Sequence, residues 1–333
     1  MKTRSLLPFA ASMALLSSLG IVSAGLLIPV KTRSTALVFS TGANNHLTQY
    51  YVGPASAAPA TYDPANDNDN VVYPGAGSLF HSQPALRATH FDGNTSTDLV
   101  YVQHGTQDLG SGVTLTTIKL RDSYYPFFVE LFIRSYAPDD VFEEWAQVHH
   151  QEPAAVTLYE VASAGLVMNA AAYSLRHYGR DRGDRLIAWD TKLTPLLEFL
   201  ESAGGGAAPR ITEPVFVVSL GTGGHPGEGA ALAGALLTTG NFVTSFEYEE
   251  PDSIFPYRPA PVISRLRILG NTNPRSIPRT FLPNRTLVTS PMVFAYHDRG
   301  IQTAVARLRA WARAQDRTHE AGVKALLDLP PEG

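Results

Sequence analysis

Hydrophobic and polar residues alternate with period two over several stretches of the chain, the pattern of strands with one buried face. Across residues 127–136, Phe127, Val129, Leu131 and Ile133 fall on one face, while Phe128, Glu130, Phe132, Arg134 and Tyr136 fall on the other. Residues 113–120 are rich in Thr, Val, Leu and Ile, and 99–103, 155–161, 215–220 and 292–296 are further β-prone runs. Arg265 and Arg267 alternate with Leu266 and Ile268. Turn signals interrupt these runs: Asp92-Gly93-Asn94, Tyr125-Pro126, Ala137-Pro138-Asp139-Asp140 and Gly221-Thr222-Gly223-Gly224. Parallel sheets need crossover helices, and almost none is predicted between the strands. The pattern therefore predicts an all-β fold, an antiparallel sandwich or barrel. It changes near the C-terminus. Ile301, Val305, Leu308, Trp311 and Ala312 form an apolar stripe at helical spacing, which predicts an amphipathic helix over 300–315. A weaker helical stretch, 320–327, stops before Pro330-Pro331.

The N-terminus reads as an address. Lys2 and Arg4 precede residues 5–30, which hold no Lys, Arg, Asp, Glu or His, and Val22-Ser23-Ala24 supplies small residues for cleavage. This predicts a signal peptide over 1–24 and a secreted chain. The competing reading is an uncleaved anchor, because the apolar run continues through Leu26-Leu27-Ile28. Pro8, Pro29 and the Ser and Gly residues favour cleavage, after which no stable membrane insertion is expected. Asn94-Thr95-Ser96 and Asn284-Arg285-Thr286 are sequons, so Asn94 and Asn284 are candidate glycosylation sites.

Composition narrows the chemistry. Lys plus Arg number 26 and Asp plus Glu 30 among 333 residues, a net charge of −4 that argues against a nucleic-acid partner. There is no Cys, which removes thiol nucleophiles and Cys-ligated metals. The ten His are scattered without H-E-x-x-H spacing, and the adjacent His149-His150 would point to opposite faces of a strand. The stretch 63–70 reads as a solvated loop rather than a calcium site, since its spacing fits no EF-hand. No G-x-S-x-G or phosphate-binding loop is present. No metal and no cofactor is expected. Asp139-Asp140 and Glu143-Glu144 crowd four carboxylates together. Sugar cleavage needs two carboxylates facing each other across the substrate, so these neighbours read as a solvated edge.

Several motifs then point to a family. His90-Phe91-Asp92-Gly93-Asn94-Thr95-Ser96-Thr97-Asp98-Leu99 resembles the H-A-D-G-N-x-S-T-D-L stretch of family 36 glycoside hydrolases, the α-galactosidases and their relatives. Leu120-Arg121-Asp122-Ser123-Tyr124-Tyr125-Pro126-Phe127 is similar to L-x-D-x-Y-Y-P-F, and Asp140-Val141-Phe142-Glu143-Glu144-Trp145 to D-V-x-E-Q-W. Leu193-Thr194-Pro195 with Leu200-Glu201-Ser202 resembles L-T-P-G-x-x-V-L-E-S, and residues 289–313 look like the family's linker helix with what precedes it. Order and spacing match from about residue 32 to about residue 315.

The resemblance implies a large antiparallel β-supersandwich of the galactose-mutarotase type over 25–299, followed by a linker helix and tail over 300–333. In the family the chemistry belongs to a later β/α barrel with two catalytic aspartates. A barrel takes about 250 residues, so it is expected to be absent here, and no catalytic residue is carried over. Trp189-Asp190 lies inside the sandwich region and is not the barrel nucleophile. The family loop Y-P-x-x-G-x-G-D-F-R-x-P-A-L appears as residues 73–86 without its Asp and Arg, leaving Phe80 and His81 as groups that could meet a sugar. The expected role is the non-catalytic N-terminal domain of a secreted α-galactosidase-like protein. Its expected partners are a separate catalytic barrel or galactosides, with a homo-oligomer also compatible. The barrel would dock on the exposed face of the 301–311 helix, where an apolar patch is expected. The alternative is a lectin-like module, for which Tyr50, Tyr51, Tyr124, Tyr125 and Trp145 are candidate platforms.

Overall fold

The computed structural model describes residues 25–42, 44–63, 70–77, 83–181, 185–195, 197–202, 211–221, 229–249, 264–272 and 278–329. Residues 1–24, where a signal peptide is expected, most of the 63–70 loop, Phe80, His81 and Pro330-Pro331 lie outside them. With strands numbered in chain order, β1 (Leu27–Lys31), β2 (Thr35–Ser40) and β3 (Thr48–Pro54) form a three-stranded sheet. A ten-stranded sheet runs β11 (Leu186–Lys192), β10 (Ala172–Arg180), β13 (Ile211–Gly221), β14 (Ala230–Leu236), β19 (Met292–His297), β8 (Val141–His150), β7 (Phe127–Tyr136), β6 (Val113–Asp122), β5 (Leu99–Gly110), with β18 (Thr286–Val288) also on β8. A six-stranded sheet runs β12 (Leu197–Glu201), β15 (Phe242–Glu249), β16 (Ser264–Thr272), β9 (Val156–Ala170), β17 (Arg279–Phe281), with β4 (Leu86–Thr89) also on β9. Pairings between these strands are antiparallel, as the absence of crossover helices predicted.

The β7 alternation is realised residue by residue. Phe127, Val129, Leu131 and Ile133 are fully buried, and their neighbours are half-buried. They meet Leu158, Leu166 and Met168 of β9, Leu266 and Ile268 of β16 and Phe246 of β15 in one core between the two large sheets. Each such side chain contributes roughly 1.5–3 kcal/mol on burial, so this core dominates stability.

A second core lies on the opposite face of the ten-stranded sheet. There Ala231, Ala233 and Ala235 of β14, with Val215 and Val217 of β13 and Val293 and Ala295 of β19, are covered by α1 (Ile301–Ala314) and α2 (Ala321–Asp328). Small side chains on β14 let the helices approach closely. At Gly322 a Cβ would sit 2.4 Å from the Leu236 carbonyl oxygen, so only Gly fits there. The helical stripe Ile301, Val305, Leu308, Trp311 and Ala312 is buried against this sheet. The face of α1 left to solvent carries Gln302, Ala306, Ala310, Arg313 and Ala314. The expected apolar patch on the exposed helix face is therefore not there, because the chain's own sheet covers the stripe.

The same layering corrects the reading of the acidic run. Asp140, Glu143 and Glu144 are all buried, not part of a solvated edge. Successive residues of β8 point to opposite faces, and here both faces are covered, one by the six-stranded sheet and the other by the helices. Glu143 faces the helices. It accepts hydrogen bonds from Arg134 Nη1 (2.9 Å) and Tyr136 Oη (2.8 Å), and from Arg317 in the α1–α2 connection. Asp140, at φ 55°, accepts from the Ser34 backbone N–H at 2.6 Å and pairs with Arg307 of α1 at 3.3 Å. These acids tie the sheet to the helices. Glu144 faces the inter-sheet core beside Phe142 and Ala146, and neither carboxyl oxygen has a hydrogen-bond partner.

Candidate functional site

The loop that joins β4 to β5 and the turn that joins β6 to β7 meet because β5 pairs with β6, Leu99 opposite Asp122. The loop is held from below. His90 and Glu152 are fully buried and 2.8 Å apart, the second ring nitrogen of His90 lies 3.1 Å from the Thr97 hydroxyl, and Glu152 also accepts from the Phe91 backbone N–H at 3.0 Å. The turn is held by the buried Asp122, whose carboxylate accepts the backbone N–H groups of Asp98, Tyr124 and Tyr125 at 2.7–2.8 Å. Gly93 at φ 91° and the Asx turns of Asp92 and Asn94 shape the upper loop. The Tyr125 ring then stacks on His90 at 3.8 Å, its hydroxyl donates to Asp92 at 2.8 Å, and the Asn94 amide donates to that hydroxyl at 3.0 Å.

Above this frame lies an open cleft of about 310 Å³, lined by Gly77, Asn94, Ser96, Asp98, Tyr124 and Tyr125. Tyr124 is 83% exposed, an aromatic face with nothing over it. Burial works against ionisation of Asp98, but hydrogen bonds from Ser123 and His46 and the His46 charge outweigh it and hold the carboxyl below the usual range. The Asn94 backbone N–H and the Tyr125 hydroxyl lower Asp92 likewise. Both acids are carboxylates at neutral pH. A cleft with an aromatic face, an amide, hydroxyls and a fixed carboxylate can bind a sugar. Among the described residues that line it, none is an acid with a raised pKa, the proton donor that glycoside cleavage uses. The carboxyl that burial does raise, Glu144 at about 8, is sealed in the core.

Of the five aromatic residues expected as platforms, only Tyr124 and Tyr125 come together. Tyr50 bonds Asp63, Tyr51 closes its own strand end on Pro54, and Trp145 stacks on Phe132 at 5.2 Å beneath Arg134. Trp189-Asp190 is a cross-strand fixture of β11: Asp190 pairs with Arg176 through two hydrogen bonds, and Trp189 stacks on His177. His149 and His150 do point apart, one stacked on Phe128 and one bonded to the Phe281 carbonyl. Both sequon asparagines are exposed, Asn94 with its amide held by Tyr125 and Asn284 in a left-handed turn at φ 61°. Sequence reasoning missed Ser96 and Asp98 as cleft residues, although they stand inside the motif that carried the family resemblance.

The description "Glycosyl hydrolase family 36 N-terminal domain" matches residues 45–254, more than half of the chain. The chain belongs to this family. The matched span of this family 36 domain includes both loops of the cleft and strands β3 to β15, whereas β16 to β19, α1 and α2 follow it. Its fold is shared with the α-galactosidase of Lactobacillus brevis (TM-score 0.73, 18% identity, 88% of this chain and 42% of that one). The family 36 α-galactosidase AgaA of Geobacillus stearothermophilus gives the same picture (TM-score 0.73, 17% identity, 87% and 43%). A variant of AgaA solved in complex with raffinose matches at TM-score 0.72 and 18% identity, over 87% of this chain and 43% of that one. The chain thus spans less than half the length of these structures. No curated protein matches it in sequence.

Proposed function

We propose that this family 36 domain is the non-catalytic β-supersandwich part of a secreted α-galactosidase-type glycosidase, and that the cutting is done by a barrel that these sheets do not form. The observation that carries the reading is the state of the acids. Asp98 in the open cleft and Asp92 beside it are held ionised, and among the described residues the carboxyl that burial poises to keep its proton, Glu144, is enclosed in the core. The domain supplies a rigid frame, with α1 clamped to the sheet through Asp140–Arg307 and the α1–α2 connection through Glu143–Arg317. Assay of the purified chain on an aryl α-galactoside tests this. No turnover above buffer is expected, and turnover at enzyme-like rates overturns it. Export rests on the Lys2 and Arg4 start and the uncharged run that follows. The exported protein is expected to begin at Gly25, which intact mass measurement checks.

The cleft favours a second reading, in which Tyr124, Asn94 and Asp98 hold a galactoside. Titration with galactose and raffinose followed by calorimetry separates the two. Binding in the millimolar range that Tyr124→Ala abolishes supports it, and no heat at tens of millimolar sugar leaves the frame alone.

A further inference from the structure

The ten-stranded sheet ends in β5, and this edge differs from those of β1, β11 and β12. The edge strand β1 carries Pro29 and Lys31, β11 carries Asp190 and Lys192, and β12 carries Glu198 and Glu201. Such residues keep sheet edges from pairing with other chains. The twelve residues of β5 include no Pro, Lys or Arg and a single acid, Asp108. From Val102 to Gly110 every residue is exposed, including Val102 at 46% and Leu109 at 44%.

The backbone alternation shows where the free edge lies. Tyr101 turns its N–H and C=O away from β6, and both are taken by Asn45, the N–H by the backbone oxygen at 2.8 Å and the C=O by the side-chain amide at 2.9 Å. Bulges at Val102 and Leu109 bracket a regular ladder in which Gln103–Asp108 face Lys119–Thr114 of β6. Within it the outward backbone groups fall to every second residue, His104, Thr106 and Asp108.

We infer that β5 pairs with β5 of a second copy, antiparallel about a two-fold axis at Thr106. An antiparallel edge can repeat on itself only when the axis passes through one residue, so that outward groups meet outward groups. Centring on Thr106 joins all three outward residues of each copy. It places Thr106 opposite its own copy, a favourable cross-strand pair. It also places each His104 opposite the other copy's Asp108, so no like charges meet. Centring on His104 or Asp108 instead leaves outward groups unmatched. The register brings Val102 of one copy within one residue of Leu109 of the other, at both ends of the ladder. The result is one sheet continuous across two molecules, independent of whether the cleft binds sugar.

Sedimentation velocity of the full chain tests this. A reversible dimer with a dissociation constant on the order of micromolar is expected, as for other small interfaces. Amide exchange at His104, Thr106 and Asp108 should slow as protein concentration rises. Thr106→Pro removes an outward donor while leaving the bonds to β6, and should weaken the dimer by about tenfold or more without changing the melting temperature. Asp108→Lys should weaken it as well, and adding His104→Asp should restore it, since the pair is then reversed rather than lost. A chain that stays monomeric at hundreds of micromolar overturns the inference. So does a dimer that survives both Thr106→Pro and Asp108→Lys, which would place the contact elsewhere.

Discussion

Replacing Glu144 by Gln should make the protein more stable at alkaline pH and remove a large part of its pH dependence. Glu144 is fully buried between Phe142 and Ala146, and its carboxyl oxygens lack hydrogen-bond partners. Burial raises its pKa from 4.5 to about 8, and the opposing Gly165 N–H lies outside hydrogen-bond geometry. The folded state therefore keeps a proton that the unfolded chain has released. Stability is fully present below about pH 4.5, falls as pH rises, and levels off above about pH 8. Each pH unit in that window removes about 1.4 kcal/mol, so about 3 kcal/mol is gone by pH 7 and about 5 by pH 8. Gln is the uncharged isostere of a protonated Glu, and the family pattern quoted above carries Gln at this place. The variant pays a cost of about 1–3 kcal/mol for an unpaired buried amide, equal at every pH. Thermal melts of both proteins from pH 5 to pH 8.5 are the assay. The advantage of Glu144→Gln should grow by about 4 kcal/mol across that range, a relative shift of roughly 10 °C. Stability curves that run parallel would refute the reasoning, since Glu144 would then not be the group that holds the proton.

Trp311 is fully buried against the sheet, so Trp311→Ala should cost about 3–5 kcal/mol and is read by urea unfolding. Glu143→Ala removes the shared partner of Arg134, Tyr136 and Arg317 and should cost about 2–4 kcal/mol in the same assay, with the α1–α2 connection losing protection from amide exchange first. Tyr124→Ala should leave the melting curve within about 0.5 kcal/mol of the parent, because the ring is exposed, and so isolates any effect on sugar titration.

Where a residue's surroundings come from its own strand or helix, the sequence showed them. The Phe127–Ile133 face of β7 and the Ile301–Trp311 stripe of α1 were legible because period alone says which side is apolar. Strand β5 was longer than its sequence suggested. Beyond Gln103 its residues are polar or Gly except Leu109, and only the ladder with β6 extends it. The acids of β8 were misread for a related reason. A charge pair in sequence says nothing about a second layer, and here the helices cover one face and the other sheet the second. The cleft was hidden in the same way: residues 92–98 and 122–125 are brought together by the β5–β6 pairing, a contact between segments that local pattern does not link.

Alternation of apolar side chains, the scarcity of crossover helices and the ordered motifs were enough to determine antiparallel sheets, a terminal amphipathic helix and the family. The sheets and the helix follow from periodicity, which is local, and the family from the resemblance of the ordered motifs. Tertiary packing alone decided which acids lost water, that the helical stripe was covered by the chain's own sheet, which strand became the unguarded edge and which loops share a cleft. Burial and ionisation depend on what the rest of the chain lays over a residue, and that is a property of the layers rather than of any segment.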